Sequence, residues 1–474
     1  MKASIDRDIL KLAIPSILAN ITVPLVGMVD IAVAGHIDAD AAVMIGGIAI
    51  GSMLFDLLYW NFGFLRVGTG GLAAQAYGRG DRGACAGILL RAVGLAMAFS
   101  LVLLAVQWLF VKAAFLVVDC TPQVRGLASQ YFFIRIWAAP ATLSLMAFKG
   151  WFIGMQDSVS TMVVDLVING VNIVASILLA LGFSVGDMTV AGIGFKGIAA
   201  GTVIAQWSGL LVSAAIAVLK YGRNTLAEFD REELDKAFDT KELRSFFVLN
   251  SDLFVRSLCF IAIYIGFTVI SARYGDVLLA VCSIMMKILM IFSYFTDGFA
   301  YAGEALTGKY IGAKNWLMLS KTVKHTFAWS MAIAVVFMAV YHFAGVPLLR
   351  MMTSDAVVVS AAQMFLPWLL LMPVVGCAAF TWDGIYIGAT ASGAMRNSML
   401  WAVVAFVVVW GAGILALRLF PGLSYQGNVV EGTTGYGIMA VHLLMAAYFA
   451  HLLARTIHLT VRYRYIIQET LQGI

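Results

Sequence analysis

The chain has 474 residues, of which 62% are hydrophobic and only 12% are charged, with a formal net charge of +5. Soluble globular proteins contain roughly 45–50% apolar and about 25% charged residues. Too few charges remain to cover a soluble particle of this length, which excludes a cytoplasmic enzyme, a secreted domain and a disordered chain. The composition therefore predicts a polytopic membrane protein, and the net charge is no sign of nucleic-acid binding.

Apolar runs long enough to cross a bilayer recur along the chain. A helix needs about 20 apolar residues to span a hydrocarbon core of roughly 30 Å. Twelve spans are predicted, at residues 9–34, 43–65, 86–111, 126–153, 159–182, 190–219, 245–272, 277–303, 322–343, 357–388, 397–420 and 435–461. Lys and Arg residues outside the spans concentrate in the loops on the side of both chain ends. The positive-inside rule then predicts a multi-pass protein of the cell membrane with both termini in the cytoplasm.

The two halves of the chain resemble one another at an offset of 234 residues. Gly150 aligns with Gly384, and residues 152–154 (FIG) align with residues 386–388 (YIG). The offset contains six spans, an even number, so both copies enter the membrane from the same side. The repeat predicts an all-α fold of two parallel six-helix lobes, related by a pseudo-twofold axis around a central cavity.

The repeat also predicts the domain limits. The expected parts are an N-terminal lobe at 1–219, a charged cytoplasmic linker at 220–244 and a C-terminal lobe at 245–474. Two similar lobes about a cavity are typical of transport by alternating access, whereas a channel or a membrane enzyme does not need them.

Asp30 is the acidic residue of the first span, and Pro15 and Pro24 precede it. A charge inside a span costs roughly 2.5–3.5 kcal/mol on insertion scales, so it requires a reason. Loss of water favours the protonated carboxyl group, whereas a nearby organic cation favours the carboxylate. Proton and cation would then exclude each other at Asp30, which is the requirement for antiport. The alternative is a structural carboxylate bonded to an asparagine or a hydroxyl group.

Polar residues of the fifth and sixth spans are candidates for the surroundings of Asp30. Asn169 and Asn172 are three residues apart and share a helix face, and Gln206 lies in the next span. They are expected to contribute to the coupling or substrate site. Ordinary hydrogen bonding between packed helices is the alternative.

The C-terminal lobe contains a second set of intramembrane charges. Its members are Asp252, Arg256, Lys287, Asp297 and Asp383. Two interpretations stay open for them, an internal ion-pair network that holds the lobe together and a site whose pairings change with conformation. Other charges are expected nearer the membrane interface, with Arg135 extending towards the headgroups: Asp56, Arg135, Asp165 and Glu304.

Five further features of the sequence are distinctive: Leu12-Ala13-Ile14-Pro15 with Pro24 and Asp30, the segment 190–199 (VAGIGFKGIA), the polar residues Asn250, Asp252 and Arg256, and the segments 382–389 (WDGIYIGA) and 395–398 (MRNS). Together they resemble the multidrug and toxic compound extrusion (MATE) transporters, and specifically their DinF-like branch. The resemblance covers essentially the whole chain.

The resemblance implies a cation-coupled antiporter that exports amphipathic, often cationic organic compounds. Members of this branch are usually proton-coupled through an acidic residue of the first span, and Asp30 matches it. The family often has a second acid after an Asn-Ile-Val motif, but here Asn172-Ile173-Val174-Ala175 leads into Ser176. Ser176 is therefore a neighbour of the expected site rather than its second carboxylate. Asp383 is the C-terminal match to a sodium-coupled site, so sodium coupling stays open.

Other functions compete with proton-coupled efflux. A flippase for a lipid-linked saccharide or another lipid-like substrate is the alternative within transport, and a cavity lined with several basic residues would favour it. Few basic residues are expected inside the spans. An enzyme is disfavoured because the six histidines show no metal-ligand spacing. The sequence predicts no cofactor, no metal and no nucleic-acid partner, small organic and mainly cationic substrates, and a monomer in the bilayer.

Overall fold

The computed structural model describes residues 2–34, 37, 41–118, 120–185, 188–228, 239–353, 355–427 and 429–472. Its helices are α1 (Lys2–Ala34), α2 (Ala41–Tyr59), α3 (Phe64–Arg79), α4 (Arg82–Val117), α5 (Pro122–Arg135), α6 (Ala139–Gly154), α7 (Ser158–Leu181), α8 (Phe195–Tyr221), α9 (Thr240–Ser271), α10 (Asp276–Gly312), α11 (Trp316–Met352), α12 (Ala356–Gln363), α13 (Leu366–Gly388), α14 (Ser392–Leu419) and α15 (Gly435–Gln472). Short 3-10 turns lie at Trp60–Phe62, Ile136–Ala138, Leu226–Glu228, Ala272–Tyr274 and Pro421–Leu423.

Within these residues, 12 helical stretches are long and apolar enough to cross a membrane, which confirms the predicted spans. The observed ends of the spans differ from the predicted ends where polar residues continue a helix beyond its apolar part. The second span, for example, reaches Arg79. The predicted run 357–388 is split into α12 and α13, because Pro367 lies at the start of α13 and cannot donate to the preceding turn.

One element is not helical. Strands β1 (Gly182–Val185) and β2 (Met188–Ala191) pair antiparallel between α7 and α8, with Gly182 opposite Ala191. The sixth span therefore begins at Phe195 rather than at residue 190. Apart from this hairpin, the described elements are helices, and the all-α membrane fold is confirmed.

The internal repeat holds at the level of backbone contacts. A Cβ atom on Gly150 would lie 2.2 Å from the Arg66 carbonyl oxygen, and one on Gly384 would lie 2.0 Å from that of Ala300. Gly384 lies 234 positions after Gly150, and Ala300 lies 234 positions after Arg66. In each half, glycine thus allows one helix to pack directly against the backbone of another.

The turns repeat with the same offset. Left-handed backbone occurs at Gln156 and Thr390, and again at Gly80 and Lys314. Asp81 and Asn315, which follow Gly80 and Lys314, cap the N-termini of α4 and α11. A common backbone plan therefore underlies both halves, although their sequences differ at most positions.

The chain forms two compact units. The N-terminal unit comprises residues 14–250 and 312–314, and the C-terminal unit comprises residues 1–13, 251–311 and 315–474. Residues 229–238 of the expected linker lie outside the described residues, and the predicted domain limits stay a prediction.

The first 13 residues group with the second half of the chain, unlike the rest of α1. Asp6 lies 2.8 Å from His325 Nδ1, and Trp329 Nε1 donates to the same carboxylate oxygen at 3.0 Å. Ile5 and Ile9 are buried on the same stretch of helix. The two polar contacts join the start of α1 to α11.

Candidate functional site

Asp30 lies buried on α1 within the N-terminal unit, and 6% of its surface is exposed. The Ser176 hydroxyl of α7 interacts electrostatically with the carboxylate. Its hydrogen-bond acceptor is the Ile198 carbonyl oxygen, 3.5 Å away, at the limit of a hydrogen bond. The buried Oδ1 of Asp30 accepts no hydrogen bond from the described residues. One carboxylate oxygen therefore keeps the capacity to bind a proton or a cationic group.

Arg135 faces Asp30 from the end of α5. Its guanidinium lies 4.7 Å from the centre of the Phe55 ring, and Nη1 donates to the Tyr131 hydroxyl at 3.2 Å. The same guanidinium interacts electrostatically with Asp30 and with the more exposed Asp56 of α2. The expected extension of Arg135 to the headgroups is wrong, because aromatic rings and carboxylates hold it inside the unit. Two carboxylates face one guanidinium group, so this cluster carries one excess negative charge when both carboxyl groups are ionised.

Three of the predicted polar neighbours, Asn169, Asn172 and Ser176, lie on α7, and of these three Ser176 interacts with Asp30. Asn172 is buried and donates from Nδ2 to the Thr202 hydroxyl at 3.0 Å, while its Oδ1 has no partner among the described residues. Half-buried Asn169 donates to the Thr22 hydroxyl on α1 at 2.5 Å. These bonds join helices, and the assignment of both asparagines to the site stays a prediction.

Glycines of α8 bring that helix against α7 at the level of Ser176. A Cβ atom on Gly201 would lie 2.6 Å from the Ser176 amide nitrogen, and one on Gly197 would lie 2.5 Å from that of Ala180. Gln206 lies half-buried further along α8, and no described contact joins it to Asp30. Its assignment to the site is likewise a prediction.

Asp383 on α13 is the centre of a charge cluster in the C-terminal unit. Arg256 Nη2, from α9, lies 2.6 Å from Asp383 Oδ2, and Arg455 Nη2, from α15, contacts the same oxygen. Arg455 is fully buried, with 2% of its surface exposed. Two guanidinium groups on one carboxylate leave one excess positive charge. That charge opposes a sodium site at Asp383.

Asp252, another of the predicted charges, has partners of its own outside the Asp383 cluster. Asp252 Oδ1 lies 2.5 Å from Arg396 Nη1, and its Oδ2 accepts from the Ser392 hydroxyl at 2.9 Å. Lys287 lies exposed on α10, with no ion pair to a described residue, and Asp297 is half-buried on the same helix. Asp252 and Arg256 thus pair with different partners across helices, and whether these pairs are structural or change with conformation stays a prediction.

Two of the carboxylates expected near the membrane interface are packed against protein. Glu304 is completely buried on α10, and its carbonyl oxygen would lie 2.3 Å from a Cβ atom on Gly388. Asp165 on α7 forms an ion pair with Lys149 of α6. Sequence position relative to an apolar run therefore did not show which charges face the interior.

Sequence reasoning missed three arginines that define the clusters, Arg135, Arg396 and Arg455. Signals for two of them were present, since Arg455 interrupts the last apolar run and Arg396 belongs to the MRNS string. The partners could not be inferred, because residues 256, 383 and 455 come from three separate helices.

Comparison with known proteins gives a consistent result. The MatE family model matches residues 15–178 and 253–412, which are parts of both halves. The chain is 34% identical over 407 residues to DNA damage-inducible protein F of Escherichia coli K12, covering 85% of each chain. It is also 25% identical over 347 residues to the probable multidrug resistance protein NorM of Photorhabdus laumondii, covering 72% of each.

Solved structures share the fold. An outward-facing structure of a multidrug resistance MATE family transporter superimposes with a TM-score of 0.78 at 15% identity, covering 96% of each chain. A Vibrio cholerae MATE transporter superimposes with a TM-score of 0.79 at 13% identity, covering 99% of this chain and 98% of the other. The fold resemblance therefore extends over the whole chain.

Proposed function

The chain belongs to the MatE family of membrane transporters and is not an enzyme, and from this premise we propose that it exports amphipathic organic cations in exchange for protons. The exchange would follow alternating access, with Asp30 as the site that binds either proton or substrate cation. The family assignment supports multidrug efflux, and the charge cluster around Asp30 supports the coupling ion and the substrate charge.

The observation that carries the proposal is the excess negative charge beside a buried, incompletely bonded carboxylate. Asp30 Oδ1 has no hydrogen-bond donor among the described residues, and Arg135 is shared with Asp56. A buried charge without full compensation costs free energy. Either a proton or an organic cation can neutralise it, and because both neutralise the same charge, one displaces the other.

The test uses purified protein in proteoliposomes and ethidium as a fluorescent organic cation. An imposed proton gradient and, separately, a sodium gradient drive ethidium movement in wild type and in Asp30→Asn. We expect proton-driven movement in wild type and its loss, by at least about tenfold, in the variant, because the amide cannot exchange a proton.

Asp165→Asn is the matched control, since the same substitution on α7 removes a carboxylate that pairs with Lys149 and is not a partner of Arg135. We expect this variant to keep most proton-driven movement. Normal pumping by Asp30→Asn would remove Asp30 as the proton site. Movement driven by sodium alone would contradict proton coupling.

A flippase for a lipid-linked saccharide is the second candidate. The observation that favours it is the pair of arginines, Arg256 and Arg455, at Asp383, because phosphate groups bind guanidinium groups. If neither gradient moves an organic cation, transfer of a fluorescent lipid-linked saccharide between leaflets becomes the measurement that decides.

A further inference from the structure

The cluster at Asp383 has more hydrogen-bond donors than acceptors. Arg256 and Arg455 both direct an Nη2 atom to Asp383 Oδ2. A guanidinium group carries five N–H donors. The buried Nε atoms of both arginines have no acceptor among the described residues. Donors from two helices thus remain unused around a single carboxylate.

The cluster also has more positive than negative charges. Ion pairs to Arg256 and Arg455 within the described residues come from Asp383 alone, since Asp252 is engaged by Arg396 and Ser392. An unpaired charge in a protein interior is costly, and a second anion would remove the cost. The chain supplies no such anion to these arginines in its described part.

The cluster is reachable on one side and fixed on the other. The side chains of Asp383 and Arg256 are 15% and 21% exposed, whereas that of Arg455 is 2% exposed. Arg455 is therefore held by its surroundings, and Asp383 orients both guanidinium groups. An incoming group would meet donors that are already in place.

We propose that Arg256 and Arg455 form a binding site for an anionic group, namely a carboxylate, sulfonate or phosphate. The group belongs either to a transported amphiphile or to a free inorganic anion. This site rests on the proposed transport function and extends its substrate class from cations to zwitterionic and anionic amphiphiles. Asp383 acts in it as a positioning residue that holds the two guanidinium groups together.

A matched pair of dyes tests the proposal. Rhodamine B carries a free carboxylate, and its ethyl ester has the same ring system with that carboxylate blocked. Fluorescence anisotropy with the purified, detergent-solubilised full chain measures the affinity for each. We expect wild type to bind rhodamine B more tightly than the ester. Arg256→Gln should reduce this preference about tenfold, because it removes a charge-assisted hydrogen bond.

Two variants separate binding from folding. Arg256→Lys keeps the charge and should retain part of the preference. Arg396→Gln removes an arginine that pairs with Asp252 rather than Asp383, and it should leave the preference unchanged. Unchanged affinity of Arg256→Gln for the ester shows that this variant is folded.

Three results would overturn the site: equal affinities of wild type for both dyes, an unchanged preference in Arg256→Gln, or binding of neither dye. Competition by sodium chloride or phosphate at constant ionic strength distinguishes the ligand sources. If chloride or phosphate displaces rhodamine B but not its ester, a free inorganic anion can occupy the site. If the preference for rhodamine B persists in the presence of these salts, the site binds organic anions. Loss of proton-driven transport would overturn the proposed antiport without altering the dye preference.

Discussion

The two units have the same backbone plan, but the charge clusters at Asp30 and at Asp383 are unbalanced in opposite directions. In the N-terminal unit, Asp30 and Asp56 share the single guanidinium of Arg135. In the C-terminal unit, two guanidinium groups share the single carboxylate of Asp383. One cluster has an unused carboxylate oxygen, and the other has unused N–H donors.

Backbone packing and charge are therefore separable features of this fold. The contacts of Gly150 with Arg66 and of Gly384 with Ala300 are equivalent, and they depend only on the absence of a side chain. The charges differ even at equivalent positions, because Lys149 corresponds to Asp383 under the 234-residue offset. The repeat conserves where helices meet, while the chemistry inside each unit is free to differ.

The same substitution should have very different costs in the two units. Asp383→Asn leaves two buried guanidinium groups without their common partner, and we expect it to lower the free energy of unfolding by about 3–5 kcal/mol. Asp30→Asn leaves Arg135 with Asp56, and we expect a loss of less than about 1 kcal/mol. Thermal unfolding of both variants in the same detergent measures the difference. Equal costs would contradict opposite excess charges.

The shared packing should respond equally in both units. Gly150→Ala inserts a Cβ atom 2.2 Å from a carbonyl oxygen, and Gly384→Ala inserts one 2.0 Å from a carbonyl oxygen. We expect each to destabilise the protein by about 1–3 kcal/mol through overpacking. Gly94→Ala, where a Cβ atom would meet nothing within 4 Å, is the control for the loss of glycine itself. A cost at only one of the two positions would break the equivalence.

A smaller difference is expected at the turns before α7 and α14. Asp157 accepts hydrogen bonds from Lys220 and Tyr221, whereas the equivalent position in the C-terminal unit is Ala391. Burial alone would raise the pKa of the Asp157 carboxyl group, but these hydrogen bonds, with that from Ser160, hold the pKa below its usual value. A lowered pKa stabilises the folded state above the unfolded-state value and loses that effect as the pH falls below about 4.

Asp157→Asn therefore tests the turn. It should cost no more than about 1 kcal/mol at pH 7, because Lys220 is half-exposed. The difference from wild type should vanish towards pH 3, as judged by thermal unfolding at both pH values. A difference that persists at pH 3 would show that the carboxylate charge is not the cause.

The sequence was sufficient for the features that depend on hydropathy and spacing. Twelve spans and the 234-residue repeat follow from apolar run lengths and from glycines that permit close contact, as at Gly150 and Gly384. The break between α12 and α13 and the hairpin before α8 were missed, because local turn geometry is decided over a few residues without a change in hydropathy.

The charge partners could not be predicted in the same way. Asp252 and Arg256 are four residues apart on α9, and the sequence predicted only that they belong to one set of intramembrane charges. Helix rotation directs Arg256 to Asp383, and Asp252 to Arg396. Spacing along one helix determines which side chains share a face, whereas the identity of their partners depends on neighbouring helices.

The attachment of the start of α1 to α11 has a consequence for biosynthesis. Asp6 and its partner His325 are 319 residues apart. At a translation rate of about 5–20 residues per second, roughly 15 to 60 seconds separate their synthesis. The first turns of the protein therefore leave the ribosome long before their partners exist. They complete their packing only once α11 has been made, so the beginning of the chain is among the last parts to reach its final contacts.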